Sequence, residues 1–231
     1  VAAAFSDPTI GAVFGSYDDR PPAENFASQY KNLVHRYYHQ RAALESESFW
    51  AGCGAIRRDV YRAVGGFDGA RYGRPSIEDI ELGARMREAG WRIRLEPDLL
   101  GAHLKQWTLP EVVRTDIFQR AIPWSRLIQS GRGPRNDLNV STAERARAVA
   151  AGIWLGSLVL LAFSFALPWA PAAALASTAL VIAANWSLLV FFARAKSPAF
   201  AIAAVAWHQV RRDSISPATV KRRLCPPTSP R

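Results

Sequence analysis

Apolar residues fall along the first half of this chain in short patterns, and each pattern predicts an element. Ile10 to Tyr17 (IGAVFGSY) is a compact apolar run that reads as a buried strand, ended by the polar turn Asp18, Asp19, Arg20, Pro21, Pro22. Phe26, Tyr30, Leu33, Val34 and Tyr37 then share one helical face, which predicts a helix from Asn25 to Ala42. Ser48 to Ile56 (SFWAGCGAI) reads as a second strand in which Gly52 and Gly54 let a ligand or another backbone come close. Asp59 is placed to cap a short helix that Gly65 and Gly66 stop after Val64. Asp68 to Ser76, which holds Gly69, Gly73 and Pro75, is expected to be the most mobile loop.

Ser76 opens the next helix, with Ile80, Leu82 and Met86 turned inward and Gly90 at its end. Trp91, Ile93 and Leu95 alternate with Arg92 and Arg94, the pattern of a half-exposed strand. A turn at Glu96, Pro97 and Asp98 and a further short strand, Leu99 to His103, would complete a hairpin. Leu109 to Ile128 reads as one or two amphipathic helices at a membrane surface. The first 128 residues therefore read as an α/β domain.

The pattern then changes: Val149 to Ala193 holds no Asp, Glu, Lys, Arg or His. Pro168, Trp169, Ala170 and Pro171 divide it into two runs, each near the roughly 20 apolar residues that a bilayer-spanning helix needs. The reading is a linker over 129–147 and two transmembrane helices over 148–194; a buried helical pair in a soluble core is the alternative. Arg145 and Arg147 precede the first run and Arg194 and Lys196 follow the second, while the link between them has no basic residue. By the positive-inside rule both ends lie in the cytoplasm, under a bacterial-type inner membrane. Residues 195–231 form a basic tail with an interfacial helix from Ser197 to Val210.

The formal net charge of +10 fits this picture, because Arg211, Arg212, Lys221, Arg222 and Arg223 would face an anionic leaflet. Nucleic acid is the weaker partner: the basic residues flank apolar runs and match no nucleic-acid motif. Cys53 and Cys225 have neither metal-type spacing nor a near partner, as in a reducing compartment. The chain starts at Val1 without a signal-peptide pattern and reads as a fragment.

Glu78 and Asp79 are the carboxylates most open to a chemical reading. When a hydroxyl attacks in a single displacement, one carboxylate must take its proton, and a helix N-terminus favours the ionised form that a base needs. For an isolated pair, capping is the plainer role. Glycoside hydrolysis is disfavoured: it needs two carboxylates on opposite sides of a bond at least about 5 Å apart. Helix neighbours diverge by about 100 degrees instead.

The order of motifs says more than the pair. A small-residue strand (Ala51 to Ile56), Arg57-Arg58, a short helix, Gly65-Gly66-Phe67-Asp68 and then Ile77-Glu78-Asp79-Ile80-Glu81-Leu82-Gly83 closely resembles glycosyltransferase family 2, over residues 10 to 125. The resemblance implies the C-terminal half of a GT-A, Rossmann-like nucleotide-sugar domain. It implies transfer from a nucleotide-activated sugar, with inversion, to a lipid-linked or envelope glycan acceptor. Asp79 would be the base and Glu78 its support. Gly52, Cys53, Gly54, Gly65, Gly66, Phe67 and Asp68 would floor the substrate site, with Lys105 and Trp107 at its side. In similar proteins a His at the place of His103 helps hold the divalent cation, Mn2+ or Mg2+, that carries the nucleotide diphosphate.

Gln119-Arg120-Ala121-Ile122-Pro123-Trp124 partly matches the Gln-x-x-Arg-Trp element of processive synthases, but Pro123 stands where that element has its basic residue. The family's Asp-x-Asp motif is absent from these residues and is expected upstream of Val1, which would leave the fragment alone inactive. The alternative function is a non-catalytic membrane scaffold that keeps the transferase shape.

Overall fold

The computed structural model describes residues 1–132 and 141–215, with side chains to residue 211. Cys225 and the basic residues from Lys221 to Arg223 lie outside the described residues. The chain divides into two compact units, Val1–Ser141 and Thr142–Arg231.

The first unit is mixed α/β around a four-stranded sheet. Strand β1 (Ile10–Tyr17) is buried along nearly its whole length because it is an inner strand. It pairs in parallel with β4 (Arg92–Gly101) and antiparallel with β3 (Gly54–Ile56), while β2 (Glu45–Ser46) pairs antiparallel with the outer side of β4. The order is therefore β2-β4-β1-β3. Helix α1 (Phe26–His39) starts where the Asn25 side chain accepts from the Ser28 N–H at 3.0 Å. It buries Tyr30, Leu33, Val34 and Tyr37, four residues of the expected stripe, and also Lys31, Asn32 and His39. The short α2 (Arg58–Ala63) and the longer α3 (Glu78–Glu88) follow. Val60, Leu82 and Met86 meet Phe14, Phe49, Ile93 and Leu95 in one core, each buried side chain of this size stabilising by about 1.5–3 kcal/mol.

Four expectations change. The strand foreseen from Ser48 shortens to Gly54–Ile56, because Ala51–Cys53 coils into a 3-10 turn over the Trp50 indole. Gly52 makes this possible: a Cβ there would lie 2.4 Å from the Trp50 ring. The hairpin after Trp91 is not formed, and β4 is one strand in which Glu96, Pro97 and Asp98 are taken up by a register shift. Phe14 pairs with Leu95 but Ser16 with Leu100, and the bulged Leu99 carbonyl occupies the place where a Gly15 side chain would begin. Finally, Ile77 rather than Ser76 sits at the N-cap of α3, and the cap is reversed: the Ser76 N–H donates to Glu78 Oε2 at 2.6 Å. Arg57, not Asp59, likewise stands at the N-cap of α2.

The amphipathic stretch near the end of this unit is helical as expected. A Thr108–Glu111 capping box opens α4 (Leu109–Arg114), a π-helical turn follows over Thr115–Ala121, and α5 (Ile122–Gln129) completes it.

The described elements of the second unit are all helices: α6 (Thr142–Leu161), α7 (Ala170–Ala184), α8 (Trp186–Ala195) and α9 (Pro198–Ile215), with turns over 162–169 between the first two. Helix starts at Thr142, inside the expected linker. The straight transmembrane hairpin is not found. Among the described residues no single helix is long and apolar enough to cross a membrane, and only the bent pair α7 and α8, at 66°, passes by length and composition together. Two local causes are visible. Glu144, Arg145 and Arg147 take up the first turns of α6, and the second apolar run breaks at Asn185, whose side-chain amide donates to the Val181 carbonyl at 2.8 Å. Ser157 meets Ser177 at 2.7 Å and Trp154 donates to Thr178 at 3.0 Å between α6 and α7.

Candidate active site

β1 and β4 run parallel and stop together, Tyr17 opposite Gly101. Open α/β sheets place ligands beyond such carboxyl ends. Here the Tyr17 ring meets three others: Trp50 edge-on at 4.7 Å, His35 at 4.7 Å and His103 at 4.6 Å. His35 and His39, one turn apart on α1, lie 3.9 Å from each other and pack on Trp50. His39 Nδ1 is 2.8 Å from the Gly15 carbonyl, which ties this wall to the bulge.

His103 continues the wall. It stacks on Trp107 at 6.2 Å and 15°. Lys105 Nζ sits 3.6 Å from the centre of the Trp107 ring and Lys31 Nζ lies 5.6 Å from it. Lys31 reaches that place from α1 with its charge answered by Asp116 of the π-helical turn, and both side chains are almost wholly buried. Cys53 lies against Gly101, so the 3-10 turn closes the floor beside the strand ends.

Asp79 enters from the first turn of α3. Its Oδ2 accepts the Ala51 N–H at 3.1 Å, and its Oδ1 the Ile80 N–H at 2.9 Å. Burial pushes its carboxyl above the ordinary Asp value, the Ala51 N–H opposes that, Glu78 adds to it and Arg120 opposes it. At this helix start, burial therefore outweighs the ionising effect expected of the helix terminus. Tyr17 is pushed up to about 12, chiefly by burial, with Arg120 opposing and Asp79 and Cys53 adding. Burial holds His35 well below its usual range, helped by His39, Arg120, Lys31 and His103. His103 is lowered by burial, then by Arg120, Lys105 and Lys31. Arg120 thus acts on Tyr17, His35, Asp79 and His103 alike, and both imidazoles are neutral at pH 7.

The structure gathers most of the residues singled out in the sequence. Gly52, Cys53, Gly54, Asp79, His103, Lys105 and Trp107 border this end of the sheet. Glu78 accepts the Ser76 N–H at the start of its own helix and acts on Asp79 through its charge. Gly65 and Gly66 have φ of +82° and +65°, and Arg85 donates to the carbonyls of Val64 and Gly66 while pairing with Glu81. These glycines shape a fastened turn. Phe67 packs edge-on against Tyr61 and, with Phe49, Ala51 and Gly54, lines a cavity of about 380 Å3. Asp68 accepts the Arg71 N–H at 2.9 Å.

Tyr17, Lys31, His35, His39, Trp50 and Asp116 escaped the sequence reading. One signal was available. Lys31, His35 and His39 recur at steps of four along one side of α1, a line of basic side chains beside the apolar stripe.

A divalent cation finds only part of a site here. His103 Nδ1 is buried without a hydrogen-bond partner and is one fitting donor. Among the described residues, however, no three His, Cys, Asp or Glu side chains gather closely enough to hold a metal ion.

The family profile of Glycosyl transferase family 21 matches residues 2–224. No curated protein sequence matches the chain. Among solved structures, the mannosyltransferase PcManGT from Pyrobaculum calidifontis, in complex with GDP-Man and Mn2+, is similar over 95% of this chain at 16% identity and a TM-score of 0.41. The chain spans 55% of that protein's length. The motifs quoted above resembled family 2; the matched family is 21, and the agreement lies in glycosyl transfer.

Proposed function

Because the chain belongs to glycosyl transferase family 21, we propose that it moves a sugar from a nucleotide-activated donor to an acceptor hydroxyl in one inverting displacement, with Asp79 as the base. The observation that carries this reading is the setting of Asp79: a carboxylate held by the Ala51 N–H, raised by burial, beside Arg120 at the mouth of the parallel strands. A base acts best when its pKa approaches the working pH, and burial moves Asp79 in that direction.

In the proposed step the acceptor O–H gives its proton to Asp79. The oxygen forms a bond to the anomeric carbon, and the bond from that carbon to the diphosphate breaks. The nucleoside diphosphate leaves with both electrons of that bond. Arg120 faces the developing negative charge. The aromatic wall of Tyr17 and Trp50 would stand beside base or sugar, with Trp107 buried behind it. His103 would contribute one donor toward a Mn2+ or Mg2+ ion on the diphosphate.

The acceptor in this reading is lipid-linked or an envelope glycan, met at the cytoplasmic face of an inner membrane. Two features support that setting: the basic residues that flank the apolar runs, and the packing of the second unit. There Ala151, Ser157, Ala174, Ser177, Ala201 and Ala204 are buried together with Leu188 and Phe192, while Phe165, Leu175, Trp186 and Ile202 are exposed. Small residues at helix contacts with large apolar ones outside is the arrangement of helices in lipid. The finer GT-A, family 2-like half-domain is the fold that suits this reading.

The test is the full-length enzyme in membranes, screened against nucleotide sugars. Asp79→Asn should lower turnover about 100-fold or more with its circular dichroism intact. The parent's activity should fall on the acid side at a pH above the ordinary Asp value of 3.8, since the raised carboxyl is lost as a base when protonated. Turnover retained by a folded Asn variant would remove the assignment.

A further inference from the structure

The turn that carries Arg120 is held from two sides. Thr115–Ala121 is π-helical, closed by a bond from the Ile122 N–H to the Ile117 carbonyl, and such wide turns gather at functional sites. Pro123 has no N–H, so the Gln119 carbonyl lacks the donor that an α-helix would supply four residues later, and the proline ring crowds that carbonyl aside. Ser76 supplies the donor instead, its Oγ lying 2.6 Å from the Gln119 oxygen. The Ser76 N–H is meanwhile given to Glu78 Oε2 at 2.6 Å, which fastens the same residue to the first turn of α3, where Asp79 stands.

On the other side Asp116 pairs with Lys31 of α1, and both side chains are almost wholly buried. α1 also carries His35 and His39, which pack on Trp50. One fastening therefore ties the turn to the helix of the base and the other to the aromatic wall. Arg120 follows Gln119 by one residue and Asp116 by four. What a cation contributes to a developing charge depends on its being fixed in place beforehand.

We propose that Ser76 and Asp116 are positioning residues that aim Arg120 at Asp79 and at the departing diphosphate. The proposal rests on Asp79 as the base and goes beyond it, giving Pro123 a purpose: the residue that breaks the Gln-x-x-Arg-Trp match is the one that frees a carbonyl for Ser76.

The charges that act on Asp79 are Glu78, which raises it, and Arg120, which opposes the rise; Tyr17 in turn feels Asp79. An Arg120 that swings away leaves Asp79 protonated to higher pH, so the acid limb of kcat/KM moves upward. The test uses the full-length enzyme in membranes with a nucleotide sugar that the parent turns over. S76A should lower kcat about fivefold, move the acid limb to higher pH and melt close to the parent. S76T keeps the hydroxyl and should restore both kcat and limb. D116N should lower kcat about tenfold with the same direction of shift. R120Q should lose about 100-fold, and adding S76A to it should change kcat by less than about twofold, because the effect passes through Arg120. A folded S76A with the parent's kcat and acid limb overturns the proposal. So does an S76A loss that is as large in R120Q as in the parent. Asp79→Asn reads out the base separately: turnover retained there removes the base, whereas turnover lost there with S76A unchanged removes only the positioning role.

Discussion

The two units of this chain bury different mixtures of residue. In the first, Phe14, Leu82, Met86 and Ile93 are wholly inside, and so are polar groups such as Lys31 and Asp116. In the second, alanines and serines share the helix contacts with a few large side chains such as Leu188, Phe192 and His208, while Phe165 and Leu175 are 88% and 74% exposed. The contrast lies in how far each unit relies on close backbone approach. A water-facing core is held by large side chains and can enclose charges only when they are paired; helices meeting through small residues depend on close backbone approach.

The comparison breaks most readily at Lys31 and Asp116. Asp116→Ala leaves the ammonium buried without that carboxylate, and thermal unfolding of the first unit should show a loss of about 3–5 kcal/mol. A change within measurement error would mean the pair is not part of the core. In the second unit the sensitive positions are the small ones. Ser177→Leu should cost about 1–3 kcal/mol by overpacking the α6–α7 contact, whereas Leu175→Ala should change detergent-solubilised stability by less than about 0.5 kcal/mol. The reverse ranking would give the second unit an ordinary core.

The smallest expected effect is at Asp79. Its folded pKa is raised, so the folded state holds a proton that the unfolded chain releases, and the stability this gives disappears as pH rises through the folded value. Asp79→Asn should therefore melt slightly higher than the parent at pH 7, with the gap closing below pH 3.8. A variant that melts lower at neutral pH would show that the carboxylate serves the fold rather than the reaction.

Much of the first unit was legible because its periodicity is local. The stripe of α1, the run of β1 and the alternation after Trp91 each appear where the pattern places them. The shape of β4 was not legible: a Glu-Pro-Asp triplet signals a turn, and only the absence of a side chain at Gly15 on another strand lets it lie as a bulge. The site divides in the same way. Asp79 and His103 could be picked out by motif order, whereas Tyr17, His35 and Trp50 meet only through contacts between distant segments. Asn185 ends a helix inside an apolar run, which hydropathy alone reads through.

Arg85 gives the first unit a fixed frame on one side of the proposed base. Its guanidinium spans from Glu81 on α3 to the carbonyls of Val64 and Gly66, so the helix bearing Asp79 and the glycine turn move as one piece. The chain from Asp68 to Ser76 is strung between that turn and α3, with the Tyr72 N–H donating to the Asp68 carbonyl at 2.9 Å. Amide exchange at Gly66, whose N–H donates to the Tyr61 carbonyl at 2.9 Å, should therefore be slow and track that of α3.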